Sequence, residues 1–354
     1  MRRSGLVIAS LWPLGLAVAV VLAAGTAEGQ TEWTKYVGNP VVEPGAPGEW
    51  DAGVIDHSDV IFDGLTYHMW YAGGLVSHEC DIGYATSTDG VHWDKWPGNP
   101  VLLRGAPGEW DGGSLQPGAV IWDGALYHMW YGAGAVPGGA GAWPTGYATS
   151  PDGVTWTKHP NNPVLPVGEA GAWDSANALI TAVVAEGGSL RAWYWGYQTL
   201  GWIAIGYATS TDGVHWDRWP EPVFWPRTSG WDRNMVGFPM VMFDGDIYRM
   251  WYSGGTGVCA GIGHAVSADG INWARQPLWE PVLPCGGPYE WDWCAFSPRL
   301  VLAGATAHMW YDGISNQGVF AIGYATAPLP FPEAWLFADD FESGDTSTWS
   351  ATVP

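Results

Sequence analysis

Short apolar runs alternate with polar turns along most of the chain, and the same order of runs returns about every 60 residues. Each return begins with a Trp-Asp pair, and successive pairs are separated by 60, 63, 58 and 60 residues. The five pairs are Trp50-Asp51, Trp110-Asp111, Trp173-Asp174, Trp231-Asp232 and Trp291-Asp292. An apolar strand, a YHMWY-type strand and an IGYATS-type strand follow each pair. This regular period predicts a repeat architecture built from sheets.

Four short antiparallel strands per repeat are typical of one blade of a β-propeller. The first four repeats end in a short fourth strand with a Trp, whereas the fifth stops after IGYATA at residues 322–327. Residues 31–51 match residues 91–111 almost position for position, so the N-terminal strand should complete the last blade and leave no open edge. The sequence therefore predicts an all-β, five-bladed β-propeller over residues 30–330, closed by its N-terminal strand.

The composition supports an all-β fold and excludes one class of partner. The chain has 354 residues, including 51 Gly and 27 Trp, which suit turns and strands better than helices. It has 13 Lys and Arg against 35 Asp and Glu, a formal net charge of −22. Such a charge repels phosphate, so nucleic-acid binding is excluded.

The two ends of the chain fall outside the repeat. Residues 1–29 place Arg2 and Arg3 before an apolar run and end in small residues, the pattern of a signal peptide. A membrane anchor is the alternative, since the run approaches the ~20 residues of a membrane span. We expect cleavage, and hence a secreted, periplasmic or cell-surface protein without membrane attachment. Residues 331–354 are acidic and are predicted to be a disordered or sorting-related tail.

Four cysteines agree with export. An even number of cysteines in an exported chain usually forms disulfides, and two are expected here. No spacing typical of zinc ligands is present among Cys80, Cys259, Cys285 and Cys294.

A functional site must come from positions where the repeats differ, because residues present in every blade serve the scaffold. The innermost strand of blade one carries Asp56, His57 and Asp59, whereas the corresponding stretch of each other blade carries no acid. Strand alternation puts Asp56 on the opposite face from His57 and Asp59, so which of them faces the channel stays open. The corresponding regions of the other blades contain Gln116, Asn177, Asn234, Gly237, Ser297 and Arg299.

Loops between second and third strands add polar and aromatic residues on the same face of the disc. They contain Glu79 in blade one, Trp143 in blade two, Trp202 in blade three and Asp312 in blade five. Carboxylates and amides hydrogen-bond hydroxyl groups, and an indole stacks on a sugar ring, so we expect a carbohydrate ligand. The predicted binding residues are His57, Gln116, Trp143, Asn177, Trp202, Asn234, Arg299 and Asp312.

The chain resembles the five-bladed propeller glycosidases, the superfamily that includes glycoside hydrolase families 32, 43, 68 and 130. The blade count, the first-strand pattern before each Asp-Gly turn, and the YATSTDGVHW and NPV strings carry the resemblance. It implies that a first-blade Asp acts as base or nucleophile, which Asp56 or Asp59 matches. It also implies an Asp in the second blade and a proton-donating Glu in a later blade. Gln116 and Asn177 stand near where those acids would be expected.

Glycoside hydrolysis needs two carboxyl groups about 5–10 Å apart, one of them protonated. The acid would have to be Glu79, Asp292 or Asp312, and Glu79 is our first choice because it lies beside Cys80. We therefore expect an exported glycosidase with Asp56, Asp59 and Glu79 as catalytic candidates. The alternative is a lectin-like propeller that binds sugar without turnover. No cofactor is expected, although a structural Ca²⁺ is possible, and the protein is expected to be a monomer.

Overall fold

A computed structural model describes residues 33–76, 79–134, 141–198, 201–257, 260–276 and 279–329. Every regular element among these residues is a β-strand. The strands form five separate sheets of four antiparallel strands each. The five-bladed β-propeller is confirmed. None of the described residues forms a helix long and apolar enough to cross a membrane.

The twenty strands follow the predicted repeat. In each blade the first three strands are long and the fourth has two residues. The strands are β1 (Thr34–Lys35), then β2 (Val54–Phe62), β3 (Tyr67–Gly74), β4 (Asp81–Ser87) and β5 (Asp94–Lys95) in blade one; β6 (Ser114–Trp122), β7 (Tyr127–Gly134), β8 (Thr145–Ser150) and β9 (Thr157–Lys158) in blade two; β10 (Asn177–Glu186), β11 (Ser189–Tyr197), β12 (Ala204–Ser210) and β13 (Asp217–Arg218) in blade three; β14 (Met235–Phe243), β15 (Tyr248–Gly255), β16 (Ala260–Ser267) and β17 (Ala274–Arg275) in blade four; and β18 (Cys294–Ala303), β19 (Thr306–Ile314) and β20 (Phe320–Pro328) in blade five.

The N-terminal strand closes the ring. β1 pairs antiparallel with β20, with Thr34 opposite Thr326 and Lys35 opposite Ala325. The fifth sheet therefore has the order β1-β20-β19-β18 and takes strands from both ends of the propeller. The predicted closure is confirmed, and the third strand of blade five is no longer an exposed edge.

The aspartate of each Trp-Asp pair ties a blade together. Asp51 is 1% exposed, and its Oδ2 accepts hydrogen bonds from Lys95 Nζ at 2.7 Å and from the Tyr71 hydroxyl at 3.1 Å. A cation on the fourth strand meets this aspartate in every blade. The other pairs are Lys158 with Asp111, Arg218 with Asp174, Arg275 with Asp232 and Lys35 with Asp292. Each buried carboxylate is thereby neutralised.

The hydrophobic core lies mainly between adjacent blades. Trp70, for example, is fully buried and packs with Leu115, Val120 and Tyr131 of blade two. The hairpin between the third and fourth strands rests on this layer. Its aspartate holds the turn, since Asp89 Oδ1 accepts hydrogen bonds from the main-chain N–H groups of residues 91 and 92.

The strand directions define two faces of the disc. The start of each first strand and the junction between second and third strands lie together, as the pairing of Val54 with Gly74 and of Gly73 with Asp81 shows. We call this the mouth face. The opposite side holds the Asp-Gly turns, such as 63–66, and the hairpins, such as 88–92, and we call it the hairpin face. Asp56 lies in β2 near the mouth face.

Candidate active site

All five first strands share an irregularity near the mouth face. In blade one, Asp56 pairs with Ala72 and Ser58 pairs with Tyr71, so His57 is an extra residue in the ladder. The irregularity recurs at the same level in every other blade. A bulge at this level is therefore part of the scaffold rather than a feature of one blade.

The bulge places Asp56 and Asp59 on the same side of β2. Their partners on β3 are Ala72 and Trp70, which are two residues apart on a regular strand and so share a face. Simple alternation puts the two carboxylates on opposite faces, and that prediction was wrong. The extra residue, His57, takes the left-handed backbone conformation with φ of 45°.

His57 joins two carboxylates from neighbouring blades. Its Nδ1 lies 3.1 Å from Asp56 Oδ1, and its main-chain N–H donates to Asp312 Oδ2 at 2.9 Å. Asp312 lies in β19 of blade five, where it pairs with Phe296. The side chains of Asp56 and His57 are 10% and 9% exposed, whereas Asp312 is fully buried. The cluster can therefore be reached from outside only through Asp56 and His57.

Asp59 and Arg299 form a second, deeper pair at the centre of the ring. Asp59 Oδ1 lies 3.2 Å from Arg299 Nε, and Asp59 Oδ2 accepts the main-chain N–H of Val120 at 2.6 Å. Arg299, which is 1% exposed, also donates to the carbonyl oxygen of Gly118 at 3.2 Å. These contacts link blades one, two and five across the channel. The charge of Asp59 is therefore held by a buried cation.

Burial and neighbouring charges shift the proton affinities of the cluster. Burial raises the pKa of Asp312 to about 7, with His57 opposing and Asp56 adding to the rise. Burial also raises the pKa of Asp59 to about 6, although Arg299 acts against it. The pKa of His57 is raised: burial lowers it, but the carboxylates of Asp56 and Asp312 outweigh that effect. Near neutral pH the cluster thus retains protons that exposed groups would have released.

An aromatic wall stands beside His57. The His57 ring centre lies 5.2 Å from that of Phe238 and 6.2 Å from that of Phe296. Trp195 packs on Phe238 with ring centres 4.3 Å apart and is itself partly exposed. In the described part of the chain, Trp195 Nε1, Ser297 Oγ and Asp312 Oδ1 are buried without a hydrogen-bond partner. Such polar atoms are suited to water or to a ligand.

The other predicted binding residues lie in two settings. Gln116 is the counterpart of Asp56 in blade two and is partly exposed. Trp143 and Asn177 are buried where blades two and three meet, and the Asn177 side chain accepts the main-chain N–H of Leu179 at 3.2 Å. Asn177 is not the counterpart of Asp56, because Leu179 holds that position in the register.

Glu79, Trp202 and Asn234 lie outside the central cluster. The Glu79 side chain is 44% exposed, and its Oε2 is 3.8 Å from Arg104 Nη1. Among the contacts of the described residues, none joins Glu79 to Asp56 or His57. Trp202 is 56% exposed, and the exposed Asn234 donates to the carbonyl oxygen of Thr256. Asp292, the other acid considered, belongs to the scaffold pair with Lys35.

Asp312 has a more central position than the sequence indicated. Its counterparts in the second strands of the other blades are Ala72, Gly132, Trp195 and Ser253, which the register aligns opposite the same first-strand position. Among these five residues Asp312 is the only acid. Comparing second strands as closely as first strands would have found it.

The possible structural Ca²⁺ and the two disulfides remain expectations. Within the described ranges, no group of three or more His, Cys, Asp or Glu is arranged to hold a metal ion. Cys80 is buried and Cys294 is partly buried. Cys259 lies outside the described residues, as do the predicted signal peptide and the acidic tail, and the predicted pairing of the cysteines stays a prediction.

A cavity in the channel lies between Asp59 and the hairpin-face ends of the first strands. Its walls are the second halves of the five first strands, and they are largely apolar. The cavity there measures about 70 Å³, room for a few water molecules. A sugar ring would therefore have to bind on the mouth side of the Asp59–Arg299 pair.

Two curated relatives match this chain. An uncharacterized protein of Mycobacterium tuberculosis strain CDC 1551 / Oshkosh, MT1551, is 31% identical over 241 residues, covering 64% of this chain and 76% of that protein. Rv1502, an uncharacterized protein of strain ATCC 25618 / H37Rv, matches equally. The chain belongs to the same family as these mycobacterial proteins. No protein-family model matches it.

Solved structures share the fold. BT0996, in a structure of an RGII complex, has a TM-score of 0.67 and 20% identity, covering 84% of this chain and 92% of its own. A glycoside hydrolase has a TM-score of 0.67 and 19% identity over 89% of this chain and 96% of its own. A family 130 structure reported for β-1,2-mannoside hydrolases that target Candida mannan has a TM-score of 0.64 and 20% identity, covering 85% and 97%. The chain therefore has the five-bladed fold of these glycoside hydrolases.

Proposed function

We propose that this protein is an exported glycoside hydrolase that acts on a glycan at the mouth of the propeller channel. The observation that carries the proposal is the cluster of Asp56, His57 and Asp312, which breaks the fivefold repeat at one end of the channel. The fold similarity to glycoside hydrolases supports it, as does BT0996 in its RGII complex. The amino-terminal pattern of residues 1–29 supports export.

Asp56 is the proposed base or nucleophile. Its side chain is the carboxylate of the cluster that is open to the mouth face, with 10% exposure. The contact with His57 Nδ1 at 3.1 Å holds it in place. Asp59 is less suited to this role because its two oxygens already meet Arg299 and the N–H of Val120.

Asp312 is the proposed proton donor. A carboxyl group with a pKa of about 7 still carries a proton at neutral pH, as the acid of a glycosidase must. Of the three acids considered from the sequence, Asp312 alone contacts the pair formed by Asp56 and His57. Its Oδ1 has no partner among the described residues and is the atom from which a proton can be given. Catalytic contacts often tighten only with substrate bound.

The aromatic wall suits a sugar ring. Trp195 is partly exposed beside Phe238, and its indole N–H lacks a partner in the described chain. An indole face covers the C–H side of a sugar, while its N–H meets a hydroxyl group. Trp202, 56% exposed on the same face of the disc, extends the surface for a longer glycan.

The test is turnover on a panel of aryl glycosides and of plant and microbial polysaccharides. Asp56→Asn should lose activity on all substrates of the parent. Asp312→Asn should lose activity on polysaccharides but keep much of it on dinitrophenyl glycosides, because a good leaving group needs no proton. Asp59→Asn and Glu79→Gln are tested on the same panel because Asp59 and Glu79 are the other catalytic candidates from the sequence. Turnover that survives both Asp56→Asn and Asp312→Asn would reject these roles.

Loss of polysaccharide turnover in Glu79→Gln with turnover of dinitrophenyl glycosides retained, while Asp312→Asn keeps both, would assign the role of proton donor to Glu79 instead. Glycan binding without product at any pH would favour the lectin-like alternative. Isothermal titration with the panel oligosaccharides separates this outcome from simple failure to bind. The fold of each variant is checked by circular dichroism.

A further inference from the structure

Adjacent blades meet in a repeated way on the hairpin face. A second-strand Trp of one blade donates its Nε1–H to a Gly carbonyl in the hairpin of the next blade. The four described examples are Trp70 to Gly153, Trp130 to Gly213, Trp193 to Gly270 and Trp310 to Gly90, all at 2.8 or 2.9 Å. The junctions therefore have equivalent walls and can be compared directly.

Two aromatic rings fill the space beside the Trp in three of these four junctions. One ring comes from the end of a first strand and the other from the start of the second. The pairs are Phe62 with Tyr67, Trp122 with Tyr127 and Phe243 with Tyr248, with ring centres 4.4, 4.5 and 4.6 Å apart. Each Tyr lies 5.2 to 5.6 Å from the Trp of the neighbouring blade.

The junction between blades two and three lacks this pair. Ala185 and Leu190 occupy the two positions, and a cavity of about 320 Å³ is left between the blades. Trp130, Tyr147, Ala185 and Leu190 form much of its apolar lining, and Asp212 is at its polar side. Blade five also has aliphatic residues at the two positions, Leu302 and Ala307, but its third and fourth strands come from opposite ends of the chain, so no hairpin joins them at that junction.

We propose that the cavity between blades two and three is a binding site for a small phenol. The three filled junctions show what the same walls accept: a phenol ring, supplied by Tyr67, Tyr127 or Tyr248, lying beside a Trp. Where the chain supplies no ring, a preformed slot of the right shape remains, and apolar cavities left by missing side chains bind matching aromatic molecules.

The polar side of the cavity is suited to the phenol hydroxyl. In the filled junction of blades one and two, burial raises the pKa of Tyr127, and the nearby carboxylates of Asp63 and Asp152 add to the rise. Their counterparts at the empty junction are Asp123 and Asp212. In the junction of blades three and four the Tyr248 hydroxyl donates to Glu186. A ring that carries a hydroxyl is therefore preferred to a bare one.

This site is separate from the proposed active site. Its walls come from the hairpins and from the far ends of the first strands, whereas Asp56 lies near the mouth face. The inference goes beyond the proposed function, and neither depends on the other.

The probe is 4-methylphenol, which is the tyrosine side chain as a free molecule. Titration into the parent protein, followed by calorimetry and by NMR of the ligand, should show saturable binding. Leu190→Tyr restores the ring of the other junctions and should weaken binding at least roughly tenfold. Ala185→Leu is a milder filling change that should also weaken it, in case the Tyr variant does not fold. Asp56→Asn, the matched control at the other site, should bind 4-methylphenol as the parent does.

Two further probes decide the ligand class. 4-Methylcyclohexanol has a similar size without the aromatic ring and should bind more weakly, and methyl glucoside should not compete. Methyl glucoside binding that is lost in Leu190→Tyr would make the cavity a sugar site and overturn the proposal. Binding of 4-methylphenol that is unchanged in both filled variants, or no saturable binding in the parent, would overturn it as well.

Discussion

This propeller contains two sets of buried aspartates, which differ in the number of cations that neutralise them. The five aspartates of the Trp-Asp pairs are at most 3% exposed, and each has a Lys or Arg of the fourth strand within 2.7 Å. The aspartates at the channel, Asp56, Asp59 and Asp312, are buried to a similar degree but share one Arg and one His.

The comparison teaches that burial alone does not mark a reactive carboxylate. A repeated aspartate with its own cation and tyrosine is a structural tie. At the channel, burial raises the pKa of Asp59 and of Asp312, and for Asp312 the nearby carboxylate of Asp56 adds to the rise. Of these two sets of buried aspartates, only the set at the channel lacks a cation for each carboxylate, and that is where chemistry is possible.

The largest expected effect is a loss of catalytic activity, which should occur when a channel aspartate is replaced but not when a scaffold aspartate is. Asp312→Asn should lower kcat/KM on polysaccharide by about 10²–10⁴-fold, the usual share of a general acid. Its melting temperature should change little, because the amide oxygen still accepts the N–H of His57. Asp292→Asn is the matched control from the scaffold set and should keep kcat/KM per folded molecule. Equal losses of activity in both variants would remove the distinction.

Removing the shared Arg should leave the carboxylates at the channel with one fewer cation. Arg299→Met leaves Asp59 buried without its cation, and we expect a loss of about 3–5 kcal/mol in the free energy of unfolding. Urea denaturation measures it. The double variant Asp59→Asn with Arg299→Met should recover part of the loss. A double variant no more stable than Arg299→Met would show that the two side chains are not coupled.

Breaking one scaffold tie should cost less than removing Arg299. Asp292→Asn removes the ion pair with Lys35 and weakens the hydrogen bond from Tyr311, which together should cost about 1–3 kcal/mol. The Lys35 side chain is 29% exposed, so water can solvate the ammonium that loses its partner. Urea denaturation compares the two sets directly. A cost above that of Arg299→Met would reverse the ranking.

The stability of the protein should also depend on pH. The pKa of Asp312 is raised to about 7 and that of Asp59 to about 6 in the folded protein, so the folded state holds protons that the unfolded chain has released. Their contribution to stability should therefore be full below about pH 4 and fall as the pH rises to about 7, by at most about 1.4 kcal/mol per pH unit and group.

Urea titrations across that pH range test this dependence. Asp312→Asn should flatten the slope, whereas Gln116→Leu, which removes no charge, should keep it. A parent slope of the opposite sign would contradict the assigned directions.

Much of the fold could be predicted because the same pattern of strands and turns occurs five times in the sequence. The Trp-Asp pairs and the missing fourth strand of the last repeat suffice to predict five blades and closure by β1. The site was harder, since it depends on departures from the repeat. The bulge at His57 reverses the strand alternation, and no local pattern indicates it.

Contacts between blades could not be predicted from the sequence either. The side chain of Arg299, a predicted substrate-binding residue, crosses the channel to Asp59 and Gly118, and the sequence does not indicate these contacts. Asp312 was predicted to be a loop residue, although it lies within β19 and meets His57 of another blade. Such pairs join residues far apart in sequence, so they follow only from the diameter of the ring and the lengths of the side chains.

The joint between β1 and β20 also constrains the order in which the molecule can assemble. Lys35 and Asp292, which meet across this joint, are 257 residues apart in the chain. Blades one to four each use only neighbouring segments and can form as the chain emerges. The fifth sheet must wait for β18 to β20 and then recapture the first strand, and contacts of such long range form slowly. Until then the molecule is an open arc whose two ends expose unpaired strands.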